Sequence, residues 1–133
     1  MENVQRETME FDVLFVGGGA ASLSGAIHLT SLIKKYNETA TKKLEPLIGV
    51  VEKGSEIGAH SLSGAVLNPV SLKELVPDFK EKGCPIEAEV NHDAVYFLGE
   101  KSAFKFPVTP PPFKNHGHFV ISLSKFNRWL LCK

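Results

Sequence analysis

Three consecutive glycines, Gly17, Gly18 and Gly19, lie directly after a short apolar run and directly before an amphipathic segment. Where a strand turns into a helix through glycines, the first glycine permits the tight turn and a later one lets the backbone approach a pyrophosphate. The free N–H groups and the positive dipole end of the following helix favour an anion at the same place. The spacing therefore predicts a phosphate-binding turn at the start of the first helix.

An acidic residue, Glu52, ends the next apolar run and suits the other end of the same ligand. A carboxylate there can accept hydrogen bonds from both hydroxyl groups of an adenosine ribose, and it would repel a 2′-phosphate. We therefore expect an adenine dinucleotide that lacks a 2′-phosphate. Ser22 stands where a third glycine is usual, and Glu52 follows Gly17 by 35 positions, where about 20 is typical.

Hydrophobic patterning predicts the elements that must position these residues. Apolar runs at Phe11–Val16 and Leu47–Glu52 are typical of buried strands, and the stripe along Ala20–Tyr36 has the spacing of a helix. A strand, a helix and a strand in this order predict a right-handed parallel crossover. We expect the polar stretch 37–46 to form a loop or to extend the helix, which accounts for the long spacing.

The second half of the chain predicts shorter elements. A Gly- and Ser-rich loop is expected at 53–64, a short helix at Val70–Val76, a β-hairpin of Val95–Leu98 with Ala103–Phe106, and a strand at Phe119–Ile121. A final helix capped by Ser122 or Ser124 runs to the end of the chain without a stop signal, so we expect a truncated chain. The aromatic residues expected in the core are Phe104, Phe106, Phe119, Phe126 and Trp129.

Composition argues against several classes of function. The 133 residues carry 15 Lys+Arg and 15 Asp+Glu, so no basic footprint for nucleic acid is expected. No apolar run approaches the roughly 18 residues of a membrane span, and the acidic start Met1–Glu7 is unlike a signal or transit peptide. Cys84 and Cys132 cannot build an iron–sulfur or zinc site alone, and His116 with His118 lacks a third ligand and predicts a turn.

Three stretches, 9–19, 50–67 and 115–123 with 128–130, resemble the electron transfer flavoprotein-ubiquinone oxidoreductase family. The middle stretch, with Glu-Lys-Gly-Ser-Glu, Gly-Ala-His and Ser-Gly-Ala-Val-Leu, is much more specific than the glycines. The resemblance implies a longer enzyme with FAD and a 4Fe-4S cluster. Such an enzyme lies on a membrane surface and passes electrons from reduced electron transfer flavoprotein to ubiquinone.

On this resemblance the fold class is α/β, a Rossmann-like FAD-binding βαβ unit followed by a β-hairpin region. Residues 1–133 would be a partial, N-terminal FAD-binding domain, without the cluster cysteines and most of the quinone pocket. The location implied is the cytoplasmic face of the inner membrane in bacteria, or the mitochondrial inner membrane in eukaryotes. No side chain is expected to act as a general acid or base, because the flavin carries the electron chemistry.

The resemblance also implies which residues contact FAD. Those around the pyrophosphate are Gly17, Gly18, Gly19, Ala20, Ala21 and Ser22. Glu52 and Lys53 would hold the adenosine ribose region. The residues that would approach the flavin are Gly58, His60, Ser63 and Gly64. Two alternatives stay open. The first is a different enzyme, either another FAD oxidoreductase of geranylgeranyl-reductase-like type or an NAD dehydrogenase. The second is an inactive nucleotide-binding remnant.

Overall fold

The computed structural model describes residues 8–133, a mixed α/β arrangement, so the acidic start of the chain lies outside the described range. The strands are β1 (Val13–Val16), β2 (Ile48–Val51), β3 (Gly64–Leu67), β4 (Ile86–Glu89), β5 (Tyr96–Leu98), β6 (Ala103–Lys105) and β7 (Phe119–Ser122). The α-helices are α1 (Ala20–Thr39), α2 (Val70–Leu75) and α3 (Leu123–Leu131), and Pro111–Phe113 forms one 3₁₀ turn. No helix in this range is long and apolar enough to cross a membrane.

The predicted β–α–β unit is confirmed, but the predicted burial of its strands is wrong. Exposure alternates along β1, and Val16 is 80% exposed, since no further layer of the described chain covers the second face of this sheet. β1 and β2 pair in parallel, with Val13 opposite Ile48 and Val16 opposite Val51. Because the strands are parallel and in register, their carboxyl ends lie side by side, and the residues that follow them leave the sheet at one edge. The helix α1 runs three residues past the predicted end, so the stretch 37–46 is partly an extension of the helix and partly a loop.

The helix α1 approaches β1 most closely at a glycine that the sequence analysis did not single out. A Cβ on Gly25 would lie 2.8 Å from Cε1 of Phe15, a residue of β1. Ser22, where a third glycine is usual, lies about one turn before this point and is half-buried. The close helix–strand contact is therefore provided by Gly25.

A second sheet has the antiparallel order β3-β7-β4, and a separate two-stranded ladder joins β5 to β6. The hairpin and the strand β7 were predicted, whereas β3 and β4 were not. The predicted loop 53–64 therefore ends one residue too late, because Gly64 begins β3 opposite Ser122. Both missed strands have only four residues, too few for a period of two to stand out.

The core joins α1, α2, α3 and β7. Its buried members are Leu23, Leu72, Val76, Phe79, Phe119, Ile121, Phe126 and Leu130. The predicted burial of Phe119 and Phe126 is confirmed, and Trp129 packs against them half-buried. The prediction was wrong for Phe104 and Phe106, which are exposed because no further layer of the described chain covers the β5–β6 ladder.

Candidate functional site

The glycine turn leaves β1 in a conformation that requires glycine. Gly17 has a φ of +94°, in the region that side chains disfavour. Its N–H donates to the carbonyl oxygen of Val51 at 2.7 Å, which joins the turn to the end of β2. The turn and the residue after β2 are thereby fixed side by side.

The N-terminus of α1 is open at Gly19. Gly19 is the N-cap residue, no side chain caps the helix, and its first turn has no acidic residue. A Cβ built on Gly19 would meet no atom within 4 Å. Uncapped N–H groups at the positive end of a 20-residue helix form a site for an anion.

The middle glycine, Gly18, has no free space beside it. Gly18 is buried, and a Cβ there would overlap Cδ1 of Ile57 and lie 3.0 Å from Oε2 of Glu52. Its N–H donates to the same Oε2 at 2.6 Å. Gly18 therefore serves the internal fit of the site, while Gly19 faces open space.

Glu52 is fixed by two backbone donors. Besides the bond from Gly18, its Oε1 accepts a hydrogen bond from the N–H of Gly54 at 2.7 Å. These bonds, that of Gly54 first and that of Gly18 second, lower the pKa of Glu52 below its ordinary 4.5, and desolvation opposes them less strongly. A carboxylate has about four lone-pair sites, so each oxygen can still accept a ribose hydroxyl.

The segment 53–63, here called the Glu52 loop, carries most of the other predicted residues. His60 is exposed, and its Nδ1 would lie 3.3 Å from a Cβ on Gly54, so it is close to Glu52 as well. Lys53 and Ser63 are exposed, and so is Gly64 at the start of β3. The structure thus brings the glycine turn, Glu52 and His60 into one neighbourhood. The assignment of His60, Ser63 and Gly64 to the flavin stays a prediction.

Gly58 has a reason for being glycine that sequence reasoning missed. It has a φ of +84°, and a Cβ would lie 2.8 Å from the carbonyl oxygen of Ser124 in α3. In the structure, Gly58 lies where the Glu52 loop contacts α3. Its approach to the flavin stays a prediction. The Glu-x-Gly spacing could have indicated the bond of Gly54 to Glu52, whereas no local pattern indicates a contact with α3.

A cleft of about 670 Å³ opens beside the start of α1. Ala20, Ala21 and Ser24 of α1 form one wall, and residues of β3 and α2, among them Leu67 and Leu72, form the other. Its volume lies within the roughly 300–1,000 Å³ of ligand pockets. Ala20 and Ala21, predicted beside the pyrophosphate, line this cleft, whereas Gly17–Gly19 and Glu52 do not, so the cleft extends along α1 away from the glycine turn.

No metal site is found among residues 8–133, since no three His, Cys, Asp or Glu side chains cluster there. The predicted turn at His116 is confirmed: a ring nitrogen of His116 hydrogen-bonds the carbonyl oxygen of Asn91 at 2.9 Å, and Gly117 has a φ of +80°. Burial raises the pKa of the Cys84 thiol, which favours the unreactive protonated form.

Comparison with known proteins gives one consistent result. The chain is 48% identical over 125 residues to a mitochondrial electron transfer flavoprotein-ubiquinone oxidoreductase of Dictyostelium discoideum, with 94% of the chain and 20% of the relative covered. It is 45% identical over 130 residues to the Pseudomonas aeruginosa enzyme of that name, with 96% of the chain and 22% of the relative covered. It is 40% identical over 129 residues to the mitochondrial one of Rattus norvegicus, with 96% of the chain and 20% of the relative covered. No family model matches the chain.

Proposed function

The chain belongs by sequence to the electron transfer flavoprotein-ubiquinone oxidoreductases, of whose length it spans about a fifth, and we propose that it binds FAD as the Rossmann-like part of such an enzyme. In the complete enzyme, electrons would pass from electron transfer flavoprotein to ubiquinone through FAD and a 4Fe-4S cluster. The described residues offer no ligand set for that cluster, so the proposal for this chain concerns FAD.

The residues present fit the adenosine diphosphate half of FAD. The space at Gly19 that a Cβ would fill is empty, and the helix behind it begins without a capping side chain. The Glu52 carboxylate lies at the same sheet edge and is held in its ionised form. The single observation that carries the proposal is this pairing of an open helix N-terminus with a fixed carboxylate.

Each residue has a defined task in this proposal. Gly17 and Gly19 would leave room for the pyrophosphate, and the first N–H groups of α1, those of Ala20 and Ala21 among them, would donate to it. Glu52 would accept hydrogen bonds from the ribose hydroxyls. The flavin, when bound, supplies the electron transfer chemistry. The chain orients the cofactor and excludes water from part of it.

We also propose that the complete enzyme associates peripherally with a membrane. This association is supported by the β5–β6 hairpin, where Phe97, Leu98 and Phe104 are 67%, 74% and 61% exposed. Apolar surface of this kind marks an interaction site, and exposed aromatic residues near lysines suit the interface of a bilayer. The membrane would be the mitochondrial inner membrane in eukaryotes or the cytoplasmic membrane in bacteria.

Titration of FAD with the purified chain, followed by quenching of flavin fluorescence, tests the proposal. We expect saturable binding that Glu52→Ala weakens at least about tenfold, since hydrogen bonds to a charged group are worth about 1.5–3 kcal/mol. Glu100→Ala, in the exposed hairpin turn, is the matched control and should bind as the wild type does. Binding that is equal in both variants, or no binding, would contradict the proposal.

A further inference from the structure

Residues on one face of α3 hold the Glu52 loop, although the two segments are about 70 positions apart in the chain. Arg128 donates from Nε to the carbonyl oxygen of Ile57 at 3.1 Å and from Nη2 to Oε1 of Glu56 at 2.6 Å. A single guanidinium thus fixes two consecutive residues of the loop. The planar, forked arrangement of its donors makes this possible, and a lysine lacks it.

A buried amide on the same helix makes a second connection. Asn127 is only 2% exposed, and its Nδ2 donates to Oγ of Ser61 at 3.1 Å. Its Oδ1 has no partner among the described residues, so this bond is the only hydrogen bond of the side chain. Because a buried amide is costly unless it is bonded, breaking the bond to Ser61 would leave the Asn127 side chain without any partner among the described residues. Gly58 packs on Ser124 between these two connections.

The loop passes this restraint on to the glycine turn through one side chain. Cδ1 of Ile57 fills the place that a side chain on Gly18 would take, and Ile57 also packs against the hydrophobic core. The N–H of Gly18 in turn donates to Glu52. A continuous line of contacts therefore runs from Arg128 through Ile57 to Gly18 and Glu52.

We propose that Arg128 and Asn127 are positioning residues for the dinucleotide site: they hold the Glu52 loop so that Ile57 keeps Gly18 against the Glu52 carboxylate. The consequence for cofactor binding rests on the proposed function. The structural step can be measured without any ligand, because it predicts how strongly the bond between Gly18 and Glu52 is kept.

Amide hydrogen exchange of the whole chain, followed by NMR, tests the inference. In Arg128→Ala we expect the Gly18 and Gly54 amides to exchange about fivefold faster, the effect of losing roughly one hydrogen bond. The amide of Phe106, which is bonded to the carbonyl oxygen of Val95 in the separate β5–β6 ladder, can open without breaking the Arg128 contact and should be unaffected. Lys125→Ala is the matched control, because it removes another exposed ion pair of α3, that with Glu87 at 2.6 Å. It should leave Gly18 unchanged.

Two further variants keep the test decisive if Arg128→Ala fails to fold. Glu56→Gln weakens one arm of the contact, and Ser61→Ala removes the partner of Asn127; both should speed exchange at Gly18 in the same direction. Arg128→Lys should restore less than half of the protection. Unchanged exchange at Gly18, or equal acceleration at Phe106, would overturn the inference.

The same variants separate this inference from the proposed function. Arg128→Ala should weaken FAD binding about fivefold in the wild-type background and have no further effect in a Glu52→Ala background, because residues that act through one another are not additive. A wild-type chain that does not bind FAD would contradict the proposed function alone. A change at Gly18 in the exchange experiment would then still support the positioning role.

Discussion

The N–H of Gly18 donates to a carboxylate oxygen of Glu52 at 2.6 Å, across 34 positions of the chain. The two residues follow β1 and β2, whose parallel pairing brings their carboxyl ends together. The bond fixes the carboxylate beside the glycine turn without a ligand. A ribose would therefore meet an acceptor that is already oriented, which reduces the entropy lost on binding.

The adjacent glycines Gly18 and Gly19 should differ in how much stability an alanine substitution costs. Gly19→Ala places a methyl group in empty space, so we expect a loss of less than about 1 kcal/mol in the free energy of unfolding. The same methyl group would stand where the pyrophosphate is expected, so FAD affinity should fall at least about tenfold. Gly18→Ala would overlap Ile57, so unlike Gly19→Ala it should clearly lower the free energy of unfolding. Denaturant unfolding and FAD titration of both variants check this, and unchanged affinity in Gly19→Ala would contradict it.

The close contact between Gly25 and Phe15 predicts a change in stability that a second substitution reverses. Gly25→Ala puts a Cβ 2.8 Å from the Phe15 ring, and overpacking of this kind costs about 1–3 kcal/mol. The gain of about 1 kcal/mol in helix propensity offsets only part of it. In a Phe15→Leu background the ring is gone, so the same substitution should be neutral or stabilising. Urea unfolding of the four chains measures this, and equal effects in both backgrounds would be inconsistent with the contact.

The lowered pKa of Glu52 predicts how binding and stability depend on pH. Hydrogen bonds from Gly54 and Gly18 favour the ionised form, so the folded pKa lies below the ordinary 4.5. The stability that this group contributes is complete above its unfolded pKa and is lost as the pH falls through the lower folded pKa. FAD affinity should accordingly stay constant between about pH 7 and pH 5. A loss of affinity around pH 6, seen in a titration series, would show that another group controls binding.

The exposed β5–β6 hairpin predicts binding to lipid. Phe97 lies opposite Phe104 in the ladder, so their side chains share one face. Replacing both with serine should reduce sedimentation of the chain with phosphatidylcholine–phosphatidylglycerol vesicles several-fold, because burial of each aromatic side chain contributes about 2 kcal/mol. Leu32→Ser, which alters a half-exposed apolar residue of α1, should have no effect. Equal sedimentation of all three proteins would contradict the membrane proposal.

The sequence predicted the β–α–β unit because its information is local. The apolar runs around Val13 and Ile48 and the stripe of α1 each lie within one element, and glycines separate the first run from the helix. The exposure of Phe104 was not predictable, since a hairpin of alternating residues does not show whether another layer covers it. β4 escaped notice because Ile86–Glu89 has one strongly apolar residue in four.

The candidate site was predictable to the same extent. Glu52 and the glycines are of characteristic residue types and each follows a predicted strand, so their meeting at one sheet edge followed from parallel pairing, although their spacing is longer than usual. The contacts of Ile57 and Arg128 depend on the packing of α3 against the Glu52 loop, 71 positions apart. No periodicity within either segment encodes such a contact, and only the folded chain reveals it.

In the proposed site, a pyrophosphate would lie at the start of α1 while Glu52 would hold the ribose. Titration of the isotope-labelled chain with ADP, followed by amide chemical shifts, tests it most directly. The largest changes should occur at Gly19, Ala20 and Ala21 and at the amides of Gly18 and Gly54 that bind Glu52. Saturable shifts confined to α2, to the β5–β6 hairpin or to no residue at all would contradict it.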